Sequence, residues 1–199
     1  MENEHSTPQK TENSEGKTPE IKQDKPKKNL GREIISWLVV LAVAFGISFV
    51  VRNVIIVNAM VPTGSMRETI ETSSRLIAFR LSYLFSEPDR LDVIVFRSHL
   101  DGETLYVKRI IGMPGERVDI IGGEVFINQS PLPLDEWYLR EPAHGANQSF
   151  VVPEGAYFVM GDNRNDSRDS RAWQDPFVPK ENILGRAVLV YFPRPSLIH

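Results

Sequence analysis

From Ile34 to Val51 the chain carries no formal charge and is apolar on every helical face. At ~1.5 Å per residue the run is about 27 Å long, near the ~30 Å hydrocarbon core of a bilayer. It therefore predicts one membrane-crossing helix. Trp37 lies near one end, and Arg52 closes the other, where a long side chain can reach the interface. Val54 to Val57 could prolong the apolar contact, as a helical turn or as the first strand beyond it. Two plainer readings compete. A buried core helix suits the run poorly, because it is long and apolar all round. A cleaved secretory signal would use Val57-Asn58-Ala59 as its small-x-small site, but the run exceeds the ~7–15 residues of such a signal. The expectation is an uncleaved anchor over residues 31–53.

Residues 1–30 mix Glu, Lys, Thr, Pro and Asn with almost no large apolar side chains. Such a segment buries too little surface to offset its ordering entropy, so it reads as a disordered tail. Lys22, Lys25, Lys27, Lys28 and Arg32 face a single acid, Asp24, just before the apolar run. By the positive-inside rule this end is cytoplasmic and residues 54–199 are exported. A formal S-x-x-K, Ser14-Glu15-Gly16-Lys17, falls on the tail, where it is a chance match.

Beyond Val54 the pattern changes from helical to strand-like. Short runs rich in β-branched and aromatic residues cover 75–81, 92–96, 105–111, 117–121, 124–127, 156–160 and 186–192. Turn chemistry separates them: Glu87-Pro88-Asp89, Met113-Pro114-Gly115, Pro153-Glu154-Gly155 and Gly161-Asp162-Asn163. Ile121-Gly122-Gly123-Glu124 predicts a two-residue hairpin, since both glycines accept positive φ. The polar stretch 131–146 gives no shape. With no amphipathic helix between the strands, the exported part reads as mostly β, built from antiparallel sheets.

Composition narrows the chemistry. A net charge of −3 with no basic stripe argues against nucleic acid, and the absence of cysteine removes thiol nucleophiles, thiolate metal sites and disulfides. His5, His99, His144 and His199 are scattered, with no zinc spacing, so no metal or cofactor is expected.

What remains is a serine. Ser65 sits in Val61-Pro62-Thr63-Gly64-Ser65-Met66, just outside the apolar run, without a G-x-S-x-G elbow or a lysine three residues on. A hydroxyl needs a base to become a nucleophile, and that base must come from elsewhere as His or Lys. Lys108, in Tyr106-Val107-Lys108-Arg109-Ile110-Ile111-Gly112, is the stronger candidate. Strand alternation sets it beside Tyr106 and Ile110, where desolvation favours the neutral amine. Arg109 points the other way, and a guanidinium does not deprotonate in proteins. The bland alternative is a solvated edge lysine. A third segment, Gly161 to Arg171, could be a salt-bridged surface loop. It is not a calcium loop, since Arg164 and Ser167 stand where an EF-hand needs an oxygen ligand and a glycine.

Taken together, the three segments resemble the type I signal peptidases, membrane-bound serine proteases with a Ser-Lys dyad, over the chain from about Arg32 onward. The compact length and single anchor look like the Gram-positive form. The resemblance implies Ser65 as acylated nucleophile and Lys108 as its general base. It makes Thr63 an oxyanion donor together with the Ser65 amide, with Gly64 permitting the turn and Met66 lining the substrate site. It assigns Ser167 to orienting the lysine amine, and Asp169 and Arg171 to bracing that wall. It also implies a plasma-membrane enzyme that cuts secretory preproteins, without a cofactor, in the bilayer and near the export machinery. The chain departs from the usual pattern at Ser74, where an acid is common, and at Leu91, where glycine is usual. Rival readings are a non-catalytic tethered β-domain that binds envelope proteins, a self-cleaving Ser-Lys repressor, and a Ser-His hydrolase using His99 or His144.

Overall fold

Because the first described segment is apolar all round, it folds as a helix with nothing to bury against. The computed structural model describes residues 30–99 and 101–199. Helix α1, Leu30–Val50, has no buried residue. A wide helical turn, Val51–Ile55, continues it, and there Asn53 Nδ2 donates to Phe49 O at 2.8 Å. This full exposure contradicts a core helix, and together with length and composition it suits a bilayer span. Leu30 is helical, and the rest of the expected tail, residues 1–29, lies outside the described residues.

Past this turn the backbone is almost entirely strand. The strands are β1 (Ile56–Val61), β2 (Ser74–Phe79), β3 (Val93–Arg97), β4 (Leu105–Gly112), β5 (Arg117–Ile121), β6 (Glu124–Ile127), β7 (Gln148–Val151), β8 (Ala156–Met160), β9 (Phe177–Pro179), β10 (Ile183–Phe192) and β11 (Ser196–Leu197). The large sheet runs β1-β2-β10-β3-β4-β8-β9, with β11 on β10, and a small sheet runs β6-β5-β7. Every pairing is antiparallel. The mostly β expectation holds.

The large sheet curls, so that β1 at its edge also approaches β4. One apolar cluster inside the curl contains Ala59, Val61, Met66, Ile70, Leu76, Val95 and Val107. A second, between the sheets, contains Ile111, Val118, Phe158 and Met160. Burial from both sides explains why β4 is buried continuously from Val107 to Gly112 instead of alternating.

The choice left open after the helix is split: Val54 and Ile55 belong to the helical turn, while Ile56 and Val57 begin β1, which alternates buried and exposed residues and pairs with β2. Ala59 is therefore buried against Leu76, and a cut after it would sever a paired strand. Strands β7, β9 and β11 were not expected. They are short, and β9 ends on Pro179 at the sheet edge, where a missing N–H costs little. The Gly122-Gly123 hairpin forms as expected, with φ of 60° and 89°. Leu91 has φ 70°, the left-handed conformation that explains why glycine suits this position.

Candidate active site

Three segments that lie far apart in sequence meet on the curled sheet. The turn after β1 carries Thr63 to Met66, the middle of β4 carries Lys108, and the loop after β8 carries Gly161 to Arg171. Hydrogen bonds from Asn163 join the first to the third. Asn163 N donates to Ser65 O at 3.0 Å, and Asn163 Nδ2 to Gly64 O at 2.9 Å. The Asp162 amide meets Met66 Sδ at 3.4 Å.

Gly161 sets how closely they approach. A Cβ there would lie 2.3 Å from Ser167 Oγ and 2.5 Å from Ser65 O, so only glycine lets both approach. Gly64 differs. Its φ is not positive, and a Cβ would meet Thr72 Oγ1 at 3.5 Å, an ordinary contact. The turn itself does not require a glycine at 64.

Lys108 is 2% exposed and stands opposite Ile94, itself fully buried. Its amine donates to Ser167 Oγ at 3.1 Å. Burial pulls the Lys108 pKa down from 10.5 to about 8, against the opposing pull of Asp169 and Asp162 and with some help from Arg171. A solvated edge lysine is thus excluded. Ser65 is 7% exposed, and its hydroxyl lies 3.4 Å from Thr63 Oγ1. Met66 is fully buried beneath it.

Asp169, fully buried, accepts from the Gly161 amide at 2.9 Å and from Arg171 through Nε and Nη2, both at 2.8 Å. Although burial alone would raise it, these donors hold its carboxyl below the usual range. Arg171 also donates to Arg164 O at 2.7 Å, so the pair staples both ends of the loop. All eight residues expected for the site converge here.

Sequence reasoning missed the layer behind them. Arg109, 1% exposed, makes a two-pronged bond to Asp162 at 2.9 and 2.7 Å, donates to Leu91 O and His199 O at 2.8 Å, and stacks 4.0 Å from the Tyr138 ring centroid. Arg164 donates to both Glu136 oxygens and, through Nε, to Gly161 O at 3.1 Å. The stretch 131–146 is therefore a supporting strap. Its only sequence signal is Glu136 and Tyr138 in a proline-bearing stretch without a strand or helix period.

The histidines do not compete. His99 bonds Asp175 O at 2.8 Å and packs on Trp173, and the His144 amide bonds Asn165. Neither bonds Ser65, whose hydroxyl, among the described residues, meets Thr63 Oγ1 alone and not the Lys108 amine, which bonds Ser167. Among the described residues no group of three or more His, Cys, Asp or Glu could hold a metal ion.

A family model described as "Signal peptidase, peptidase S26" matches residues 34–192. Signal peptidase I of Leptolyngbya laminosa is 37% identical over 170 residues, covering 82% of this chain and 79% of that protein. Probable signal peptidase I-2 of Synechocystis is 33% identical over 195 residues, covering 94% and 84%. A signal peptidase I crystal structure from Enterococcus faecalis is 34% identical with TM-score 0.44, covering 51% of this chain and 97% of that one.

Proposed function

This chain belongs to the signal peptidase family, peptidase S26, and from that membership we propose a membrane-anchored serine endopeptidase that removes signal peptides through a Ser65–Lys108 dyad. The observation that carries the dyad is the lysine itself. It is a buried amine whose pKa falls to about 8, held by Ser167 on the same wall that receives the Ser65 backbone.

In this reading the neutral Lys108 amine takes the Ser65 hydroxyl proton as Oγ attacks the scissile carbonyl. Negative charge develops on the substrate oxygen, and the Thr63 hydroxyl and Ser65 amide stabilise it. One such donor is worth about 2.7–4 kcal/mol in the transition state. Lys108 then protonates the departing amine, and an acyl-enzyme on Ser65 is hydrolysed by water. The reaction asks for no cofactor. Ser167 holds the amine in one orientation, and the Asp169–Arg171 pair holds the Ser167 loop.

Helix α1 would keep the enzyme in the plane in which its precursors are held, with residues 1–30 on the cytoplasmic side and 54–199 outside. The direct test follows a secreted precursor with wild type, Ser65→Ala and Lys108→Ala in vesicles. Cutting by wild type, with both variants folded and silent, is the expected outcome. Near-normal cutting by Lys108→Ala would sink the dyad. Failure of wild type on several precursors would favour a non-catalytic tether.

A further inference from the structure

A cavity of about 1000 Å³ lies where the last turns of α1 meet one end of the large sheet, and it is lined by none of the dyad residues. At this end β1, β10 and β4 begin while β2 and β3 finish. Its apolar wall includes Ala44, Ile47 and Val51, from the last turns of α1 and the turn after it, with Ile56, Leu105 and Leu184 from the strands. Beside Ser48, Val57 and Asn58, three arginines also line it: Arg52 in the turn after the helix, Arg80 after β2 and Arg97 at the end of β3.

These arginines are unlike most others in the molecule. Arg90, Arg109, Arg117, Arg140, Arg164, Arg171, Arg186 and Arg194 each pair with a carboxylate. Among the described residues Arg52, Arg80 and Arg97 have no carboxylate partner, and Arg80 Nε is buried with no hydrogen bond. No Asp or Glu lines the cavity. Like charges gathered without a counterion repel one another, and a buried donor left unpaired is costly. An anion would relieve both. Guanidinium groups match phosphate in geometry and hydrogen bonding.

From this arrangement we propose that the cavity is a binding site for one anionic phospholipid. Its phosphate sits among Arg52, Arg80 and Arg97, and an acyl chain lies along the Ala44, Ile47 and Val51 wall. The lipid, as opposed to free phosphate, is the occupant because the apolar wall runs directly into the helix read as the bilayer span. The proposal rests on membrane anchoring but not on the dyad.

Native mass spectrometry of the full-length chain in detergent, titrated with phosphatidylglycerol, tests it. Wild type should retain one lipid, and phosphatidylcholine should be retained far less. Arg52→Gln/Arg80→Gln/Arg97→Gln should weaken retention on the order of a hundredfold, from about fivefold per cation near an anionic headgroup. The exposed pair Arg52→Gln/Arg97→Gln repeats the test should the triple variant misfold. Equal retention of both lipids, or unchanged retention by the folded variants, overturns the site. Binding of inorganic phosphate that displaces the lipid would make it a free-phosphate site and overturn the lipid assignment. Flotation of wild type with neutral vesicles is scored separately, so that loss of anchoring is told apart from loss of the headgroup site.

Discussion

The lysine proposed as the base must be kept from its usual charge, and the fold bears that cost. Lowering the Lys108 pKa from 10.5 to about 8 corresponds to about 3 kcal/mol at ~1.36 kcal/mol per pH unit. Between those two pH values the unfolded chain binds the proton and the folded chain does not, so stability rises with pH across that window. Below about pH 8 both states are protonated and the penalty is present in full. Lys108→Met should therefore be inactive yet more stable than wild type at pH 7, by up to about 3 kcal/mol in denaturant titrations. The advantage should shrink as pH rises from 8 to 10.5. Precursor cleavage by wild type should increase with pH through an apparent pKa near 8 and then level off. An activity midpoint near 6.5, the ordinary range of histidine, would contradict a lysine base. Gly161 offers a second residue-scale test. Gly161→Ala introduces a methyl group 2.3 Å from Ser167 Oγ and 2.5 Å from Ser65 O, separating the residue that holds the Lys108 amine from the Ser65 backbone. Cleavage should fall by at least about a hundredfold, as a 1 Å misplacement of reacting groups does. Gly64→Ala, whose methyl group finds ordinary contacts, should leave the melting temperature unchanged.

Each element of the site was legible to the degree that its order is local. Strands such as β4, β5, β6 and β8 carry β-branched and aromatic residues between clear turns, and the sequence reading located them within a residue or two. The hairpin at Gly122-Gly123 was legible because φ preference is a property of single residues. Strands β7 and β9 were not, since Gln148–Val151 and Phe177–Pro179 are too short to show a period and are strands only because a partner edge pairs with them. The strap 131–146 was silent for the same reason. Its order comes from Glu136 against Arg164 and from Tyr138 under Arg109, pairs that sequence separation hides. Likewise Arg109 read as a face-down neighbour of Lys108, whereas its role depends on Asp162, Leu91 and His199 arriving from other parts of the fold. Removing the strap's anchor should be costly. Glu136→Ala leaves the fully buried Arg164 side chain without its counterion, a situation worth about 3–5 kcal/mol. Denaturant unfolding should show that loss. Because Arg164 also holds Gly161 O, cleavage should weaken even where the variant stays folded. A variant with native stability would show that solvent, not Glu136, supports Arg164.

At the scale of the whole molecule, the arrangement separates two tasks. The turn after β1, the middle of β4 and the loop after β8 bring the residues of the proposed dyad together, while a different set, from the starts of β1, β4 and β10, lines a cavity with the last turns of the apolar helix. A protease with this division acts on substrates confined to the same bilayer, where the search for the cleavage site is two-dimensional. That economy works only if the β-domain lies on the side where signal peptides end, which the basic run from Lys22 to Arg32 argues for. Because the chain has no cysteine, its orientation can be read without background labelling. Ser86→Cys places one thiol on an exposed residue of the β-domain, and Ser14→Cys places one before the helix. In intact cells a membrane-impermeant maleimide should label Cys at 86 and spare Cys at 14, which should react only after permeabilisation. The reverse pattern would put the dyad on the cytoplasmic side, where signal peptides are not released. Labelling of both in intact cells would mean that the helix does not cross the bilayer at all.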